Sequence, residues 1–127
     1  MILVDTSIWI EFFKRRDPVF LTLHNLLEQQ AVIAVECVFG ELLQGVKNSR
    51  EQAVILGYWE NLPHKDEQGL WVDAGILSSE HSWFSKGIGL LDAFLICFAR
   101  THDLQIWTLD QKLTSVIHSS ETFLPSI

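Results

Sequence analysis

The chain has 127 residues, enough for one well-cored domain and too few for two, and residues 1–127 read as one domain. Apolar residues make up 48% and charged residues 20%, without a low-complexity tract, which excludes an intrinsically disordered chain. Nine Lys and Arg against 16 Asp and Glu give a formal charge of −7, which argues against a protein that coats nucleic acid but leaves room for a nucleic-acid enzyme whose clustered acids are offset by divalent cations.

The opening Met1-Ile2-Leu3-Val4 carries no basic region and no long apolar core, so no signal peptide is expected. No apolar run approaches about 18 residues, and 90–99 is interrupted by Asp92, so no membrane span is expected. Cys37 and Cys97 stand alone, without a second Cys or a His at zinc spacing. Both read as small core residues in a reducing compartment, and the cytoplasm is the expected location.

In chain order, Ile2-Leu3-Val4 reaches an acid at Asp5, Thr6-Ser7 follows, and the apolar spacing turns helical through Ile8, Trp9, Phe12 and Phe13. This predicts a buried strand ending in a carboxylate at a strand-to-helix turn. In open α/β sheets that turn is where ligands bind. Asp5 is therefore either a candidate for chemistry or an ordinary N-cap. Lys14-Arg15-Arg16 reads as a solvated helix end.

Asp17-Pro18 signals the next helix, with Pro18 at its first position and Phe20, Leu23, Leu26 and Leu27 as its stripe. An apolar strand is predicted at 31–35 and an amphipathic helix at 36–46. Glu41 falls at the edge of that helix's stripe with Gly45 one turn later, either a boundary residue and a fraying end or a place of close approach. Ser49 is the predicted cap of a helix that runs to Pro63, and a brief strand is placed at 64–67. Leu70, Trp71, Ala74 and Leu77 predict a helix to about residue 86, closed by Gly87.

Residues 90–99 are apolar on every side apart from Asp92, which predicts a helix buried between layers. Asp92 is either a first-turn acid favoured by the dipole or a functional carboxylate at the rim of the core. The last clear strand is 104–108, followed by Leu109-Asp110 and a short helix at 111–116; 122–124 could add an edge strand. Strands alternating with helices predict an α/β fold with a parallel sheet covered on both faces.

Asp5 and Asp110 both sit just past the carboxyl end of a predicted parallel strand, and Glu41 and Asp92 near helix starts that could face the same edge. Four carboxylates in one crevice stay ionised together only around a bound cation. All-oxygen ligands with room for water suit Mg²⁺ or Mn²⁺. Such an ion can activate water and stabilise charge on a phosphate, which points to phosphodiester hydrolysis.

In these segments the sequence resembles the PIN-domain family, and within it the VapC-type toxins of toxin–antitoxin pairs. The resemblance runs from Ile2-Leu3-Val4-Asp5-Thr6-Ser7-Ile8-Trp9 through Gly40-Glu41-Leu42-Leu43-Gln44-Gly45 and Gly87-Ile88-Gly89-Leu90-Leu91-Asp92 to Ile106-Trp107-Thr108-Leu109-Asp110. Each motif alone is common; four in this order are fairly specific. The resemblance implies a metal-dependent endoribonuclease on a three-layer α/β/α fold with a mainly parallel sheet. It implies Mg²⁺, with Mn²⁺ as an alternative, an RNA substrate such as tRNA or rRNA, a homodimer, and inhibition by a cognate VapB-like antitoxin. Carried over by position, Asp5, Glu41 and Asp92 would be the core metal-binding acids and Asp110 the fourth. Ser7 and Thr108 would orient water or ligands. Leu113 stands where the family often has Phe, which puts only the last helix's placement in doubt.

The five His share no motif with the acids and read as structural or surface residues. Trp9 and Trp107 read as core, while Trp59, Trp71 and Trp83 could be core, interface or base-stacking residues. Lys14, Arg15, Arg16, Lys47, Arg50 and Lys86 are candidates for holding RNA phosphates. The charge of −7 suits a basic inhibitor as well as RNA. Two alternatives stay open: an RNA-processing PIN nuclease outside a toxin–antitoxin system, and a non-catalytic RNA- or protein-binding module. A haloacid-dehalogenase-like phosphatase would want Asp where Ser7 stands. A response-regulator receiver would need an acidic pair at the first strand end and a Lys near the last, and neither is present.

Overall fold

The computed structural model describes residues 1–125. Three strands, β1 (Ile2–Val4), β2 (Val32–Ile33) and β3 (Gln105–Trp107), form a parallel sheet in the order β2-β1-β3. Leu3 pairs with Ile33 on one side and Ile106 on the other. Successive residues of β1 point to opposite faces, yet all three are buried, so both faces of the sheet are covered. This is the three-layer α/β/α arrangement expected from the alternating pattern.

Helix α1 (Thr6–Phe13) leads to α2 (Val19–Glu28); α3 (Glu36–Gln44), α4 (Ser49–Asn61), α5 (Leu70–Glu80) and α6 (Leu90–His102) lie between β2 and β3, and α7 (Gln111–Ser115) follows β3. Every residue of α6 from Ala93 to Ala99 is buried, as its unbroken apolar run demands. Among the described residues no helix is long and apolar enough to cross a membrane.

Several boundaries differ from the sequence reading. The helix expected to run from Leu70 to about residue 86 stops at Glu80, and Ser82 takes a left-handed backbone with φ 54°. The reason is Trp83. At about 100° per residue a continuous helix would carry Trp83 to the side opposite the buried Ala74, out into solvent. Breaking the helix re-aims the indole, which is buried. The chain recovers through a 3₁₀ turn at Phe84–Lys86 and Gly87, whose φ of 83° is the left-handed conformation expected there.

Asn48, rather than Ser49, caps α4, its Oδ1 accepting the Glu51 amide at 2.9 Å. Pro18 is the cap of α2 rather than its first residue. The brief strands placed at 64–67 and 122–124 are single bridges, Ala34 with His64 and Ile106 with Thr122, one at each edge of the sheet. Polar and Pro-containing flanks keep these edges too short to pair further.

Candidate functional site

Asp5 follows β1 directly, and its amide donates to the Trp107 carbonyl at 3.0 Å, holding it at the carboxyl edge of the sheet. It is 9% exposed and accepts three hydrogen bonds: from the Thr6 amide at 2.6 Å, Thr108 Oγ1 at 2.6 Å and Ser7 Oγ at 3.2 Å. The first of these makes Asp5 the N-cap of α1. Capping and a place in the crevice are therefore compatible, since one oxygen caps while the other meets the hydroxyls.

Both hydroxyls also reach across to the end of β3. Ser7 Oγ accepts the Leu109 amide at 3.1 Å, and Thr108 Oγ1 accepts the Asp110 amide at 3.0 Å. Asp110 in turn caps α7 through the Lys112 amide at 2.9 Å. The edge that holds two carboxylates is thus tied together by Ser7 and Thr108, the two hydroxyl residues singled out in the sequence.

Glu41 lies in the second turn of α3, not near its start as expected, and is exposed. It is held toward the crevice by Thr6 Oγ1, which donates to Glu41 Oε1 at 2.8 Å. Thr6 was not singled out in the sequence; its hydroxyl in the first turn of α1 was the available signal. Gly45, one turn on from Glu41, opens onto a neighbouring hollow and not onto the carboxylates.

Asp92 sits in the first turn of α6, half-buried. Its carboxyl is pushed up to about 6 by burial first, then by Asp110, Asp5 and Glu41, with no hydrogen-bond donor to offset them. The four acids line one crevice of about 400 Å³. Among the described residues its other walls include Cys37, Leu90, Leu91 and Leu95, and no Lys, Arg or His. Cys37, read from sequence as core, is a half-buried part of this wall; burial and the nearby Glu67 and Glu41 push its thiol up to about 12, so it stays protonated and inert.

As the side chains stand, no three of the described His, Cys, Asp and Glu groups are grouped to hold a cation. Mg²⁺ does not require such a cage, since it keeps several waters and takes one or two carboxylates. The donor set fits a hard cation: four carboxylates, hydroxyls close by, no nitrogen ligand, and an Asp92 whose charge has no partner. The histidines serve elsewhere. His64, His81 and His102 bond to the carbonyls of Trp59, Leu77 and Asp66, and His24 lies 3.4 Å from Glu28.

A sequence profile described as "PIN domain" matches residues 2–118. Among solved structures, the fold is similar to that in the crystal structure of FitAcB from Neisseria gonorrhoeae, with a TM-score of 0.60 and 19% identity over 96% of this chain and 94% of that one. At that identity the likeness is one of fold. No curated protein matches the chain.

Proposed function

The chain belongs to the PIN-domain family, in which nuclease activity is general, and on that premise we propose that it is a Mg²⁺-dependent endoribonuclease, with Mn²⁺ able to substitute. In this reading it is a VapC-like toxin restrained by a VapB-like antitoxin, and it works as a cytoplasmic homodimer on tRNA or rRNA. One observation carries the proposal: Asp5, Glu41, Asp92 and Asp110 line a single crevice that, among the described residues, has no cationic side chain in its lining. Such a crevice repels RNA until a cation enters it.

Asp5, Glu41 and Asp92 would hold the ion, with Asp110 as the fourth acid. When bound, the ion supplies a more acidic water and charge stabilisation at the phosphate. The protein's own part is positioning. Ser7 and Thr108 donate to Asp5 and aim its carboxylate, and Thr6 draws the exposed Glu41 inward. Among the described residues no His, Lys or Arg lines the crevice, so the groups that would be at hand to accept a proton there are its carboxylates and solvent.

The test is cleavage of total tRNA and rRNA by the purified protein in Mg²⁺, Mn²⁺ or EDTA, with Asp5→Asn and Asp92→Asn beside it. Discrete cuts that need metal and vanish in both variants are expected. Full metal-dependent cleavage by Asp5→Asn would overturn the assignment of the acids. No cleavage by folded, metal-binding protein would favour the non-catalytic module.

A further inference from the structure

A second hollow, of about 710 Å³, adjoins the carboxylate crevice and shares Glu41 with it. Ile10, Phe13, Val46 and Val54 give it an apolar lining. Three cations also line it: Lys14 at the end of α1, Lys47 after α3 and Arg50 in the first turn of α4. That is one third of the chain's nine Lys and Arg, in a protein of net charge −7.

None of the three is used to hold the fold together by an ion pair. Among the described residues the ion pairs are Arg16 with Glu11, His24 with Glu28 and Arg100 with Glu121. The other acid in the lining, Glu51, is engaged as a capping group, its Oε2 accepting the Lys47 amide at 2.9 Å. With Glu41 and Glu51 also in the lining, the hollow sets three cations against two carboxylates, an excess of one positive charge in a chain of net charge −7, and the cations are not ion-paired to either acid.

We propose that this hollow is the lead-in groove for single-stranded RNA, in which Lys14, Lys47 and Arg50 hold the phosphates flanking the one to be cut. The inference rests on the nuclease reading above and extends it to the substrate's path. Among the described residues the charged side chains of the crevice are all acids, which gives it no positive charge with which to hold a polyanion, so the attraction must come from beside it. The hollow that shares Glu41 is where the strand would next run. Its apolar lining suits unstacked base faces, which a duplex does not offer.

The test is fluorescence anisotropy in Mg²⁺ buffer with a short, labelled 2′-O-methyl oligoribonucleotide of mixed sequence, titrated over a range of NaCl. The triple variant Lys14→Gln, Lys47→Gln, Arg50→Gln is expected to bind about tenfold or more weakly at low salt. Its slope of log affinity on log salt should be shallower by about 2, since each phosphate contact to a single strand contributes roughly 0.7. Lys65→Gln, exposed and lining neither hollow, should leave the slope unchanged. Wild-type affinity and slope in a folded triple variant would overturn the groove and leave the hollow to a protein segment; failure of the wild type to bind would overturn it too. Unchanged binding beside Asp5-dependent cleavage condemns the groove alone. A lost slope without any cleavage keeps the groove and condemns the nuclease reading.

Discussion

Thr108 Oγ1 stands 2.6 Å from Asp5 Oδ2 and accepts the Asp110 amide at 3.0 Å, so one hydroxyl fixes the carboxylate at the end of β1 and the backbone at the end of β3. Thr108→Val keeps the shape and removes both bonds. The part-buried carboxylate oxygen and amide left behind should cost about 1–3 kcal/mol of stability. Mn²⁺ affinity, read by calorimetry, should fall roughly 10–100-fold, and Thr108→Ser should restore most of it. An unchanged affinity in the valine variant would mean that Asp5 is aimed by Ser7 and the Thr6 amide alone.

Asp92 makes the metal-free protein sensitive to pH in a predictable direction. Its folded value, raised to about 6 from 3.8, lies above that of the unfolded chain, so the folded state binds the proton more tightly. This carboxyl therefore favours folding as pH falls from above 6 toward 4 and opposes it at neutral pH. Asp92→Asn should stabilise the EDTA-treated protein at about pH 8 by ~1–2 kcal/mol, water reaching the half-buried group having trimmed the larger ideal value. At about pH 4 the two proteins should unfold at nearly the same urea concentration. Equal stabilities at both pH values would show that the crevice leaves Asp92 fully solvated.

The sheet's central strands, α6 and three of the four acids were legible because each depends on local pattern: a continuous apolar run, a change of period, an acid at the turn. Asp5, Asp92 and Asp110 stand where those patterns place them, in first turns or just past strands. Glu41 was harder to place, because its approach depends on the Thr6 hydroxyl, a contact across 35 positions. The break after Glu80 was hidden for the same kind of reason. Nothing local to 81–87 announces that Trp83 is needed in the core, and tertiary burial overrode a continuing helical pattern. The separation of the basic residues into groove and surface was likewise invisible until α1, α3 and α4 were brought together.

Trp9 supports the turn that carries Asp5. Its indole is wholly buried, with ring centroids 5.4 Å from Phe39, 5.5 Å from Tyr58 and 5.7 Å from Phe12, and its Nε1 has no acceptor. Trp9→Ala should cost about 3–5 kcal/mol. Trp9→Phe should cost only about 1–2 kcal/mol, because the smaller ring forfeits packing while also removing a donor that was buried unpaired. Denaturant unfolding separates the two. A Phe variant as unstable as the Ala variant would show that the indole N–H is satisfied by water in solution.

The end of the described chain is fastened by Arg100 on α6, whose Nε donates to Glu121 Oε2 at 2.8 Å and whose second nitrogen reaches Oε1 at 3.2 Å. Glu121 also accepts the His118 amide at 2.9 Å, closing the 3₁₀ turn from which Phe123 bonds to Ile106 and packs on Trp107. The Arg100 hydrogen bonds hold the Glu121 carboxyl below its ordinary 4.5, so the clamp contributes fully above that value and is lost as pH falls through the lower folded value. Arg100 is partly exposed, and Glu121→Gln should therefore cost only ~0.5–1.5 kcal/mol near neutral pH and almost nothing in acid. The local effect should exceed the global one: amide exchange at Phe123 should accelerate while that of α6 changes little. Equal acceleration in both would mean that the tail and the core unfold as one unit, and that the clamp stabilises the whole fold.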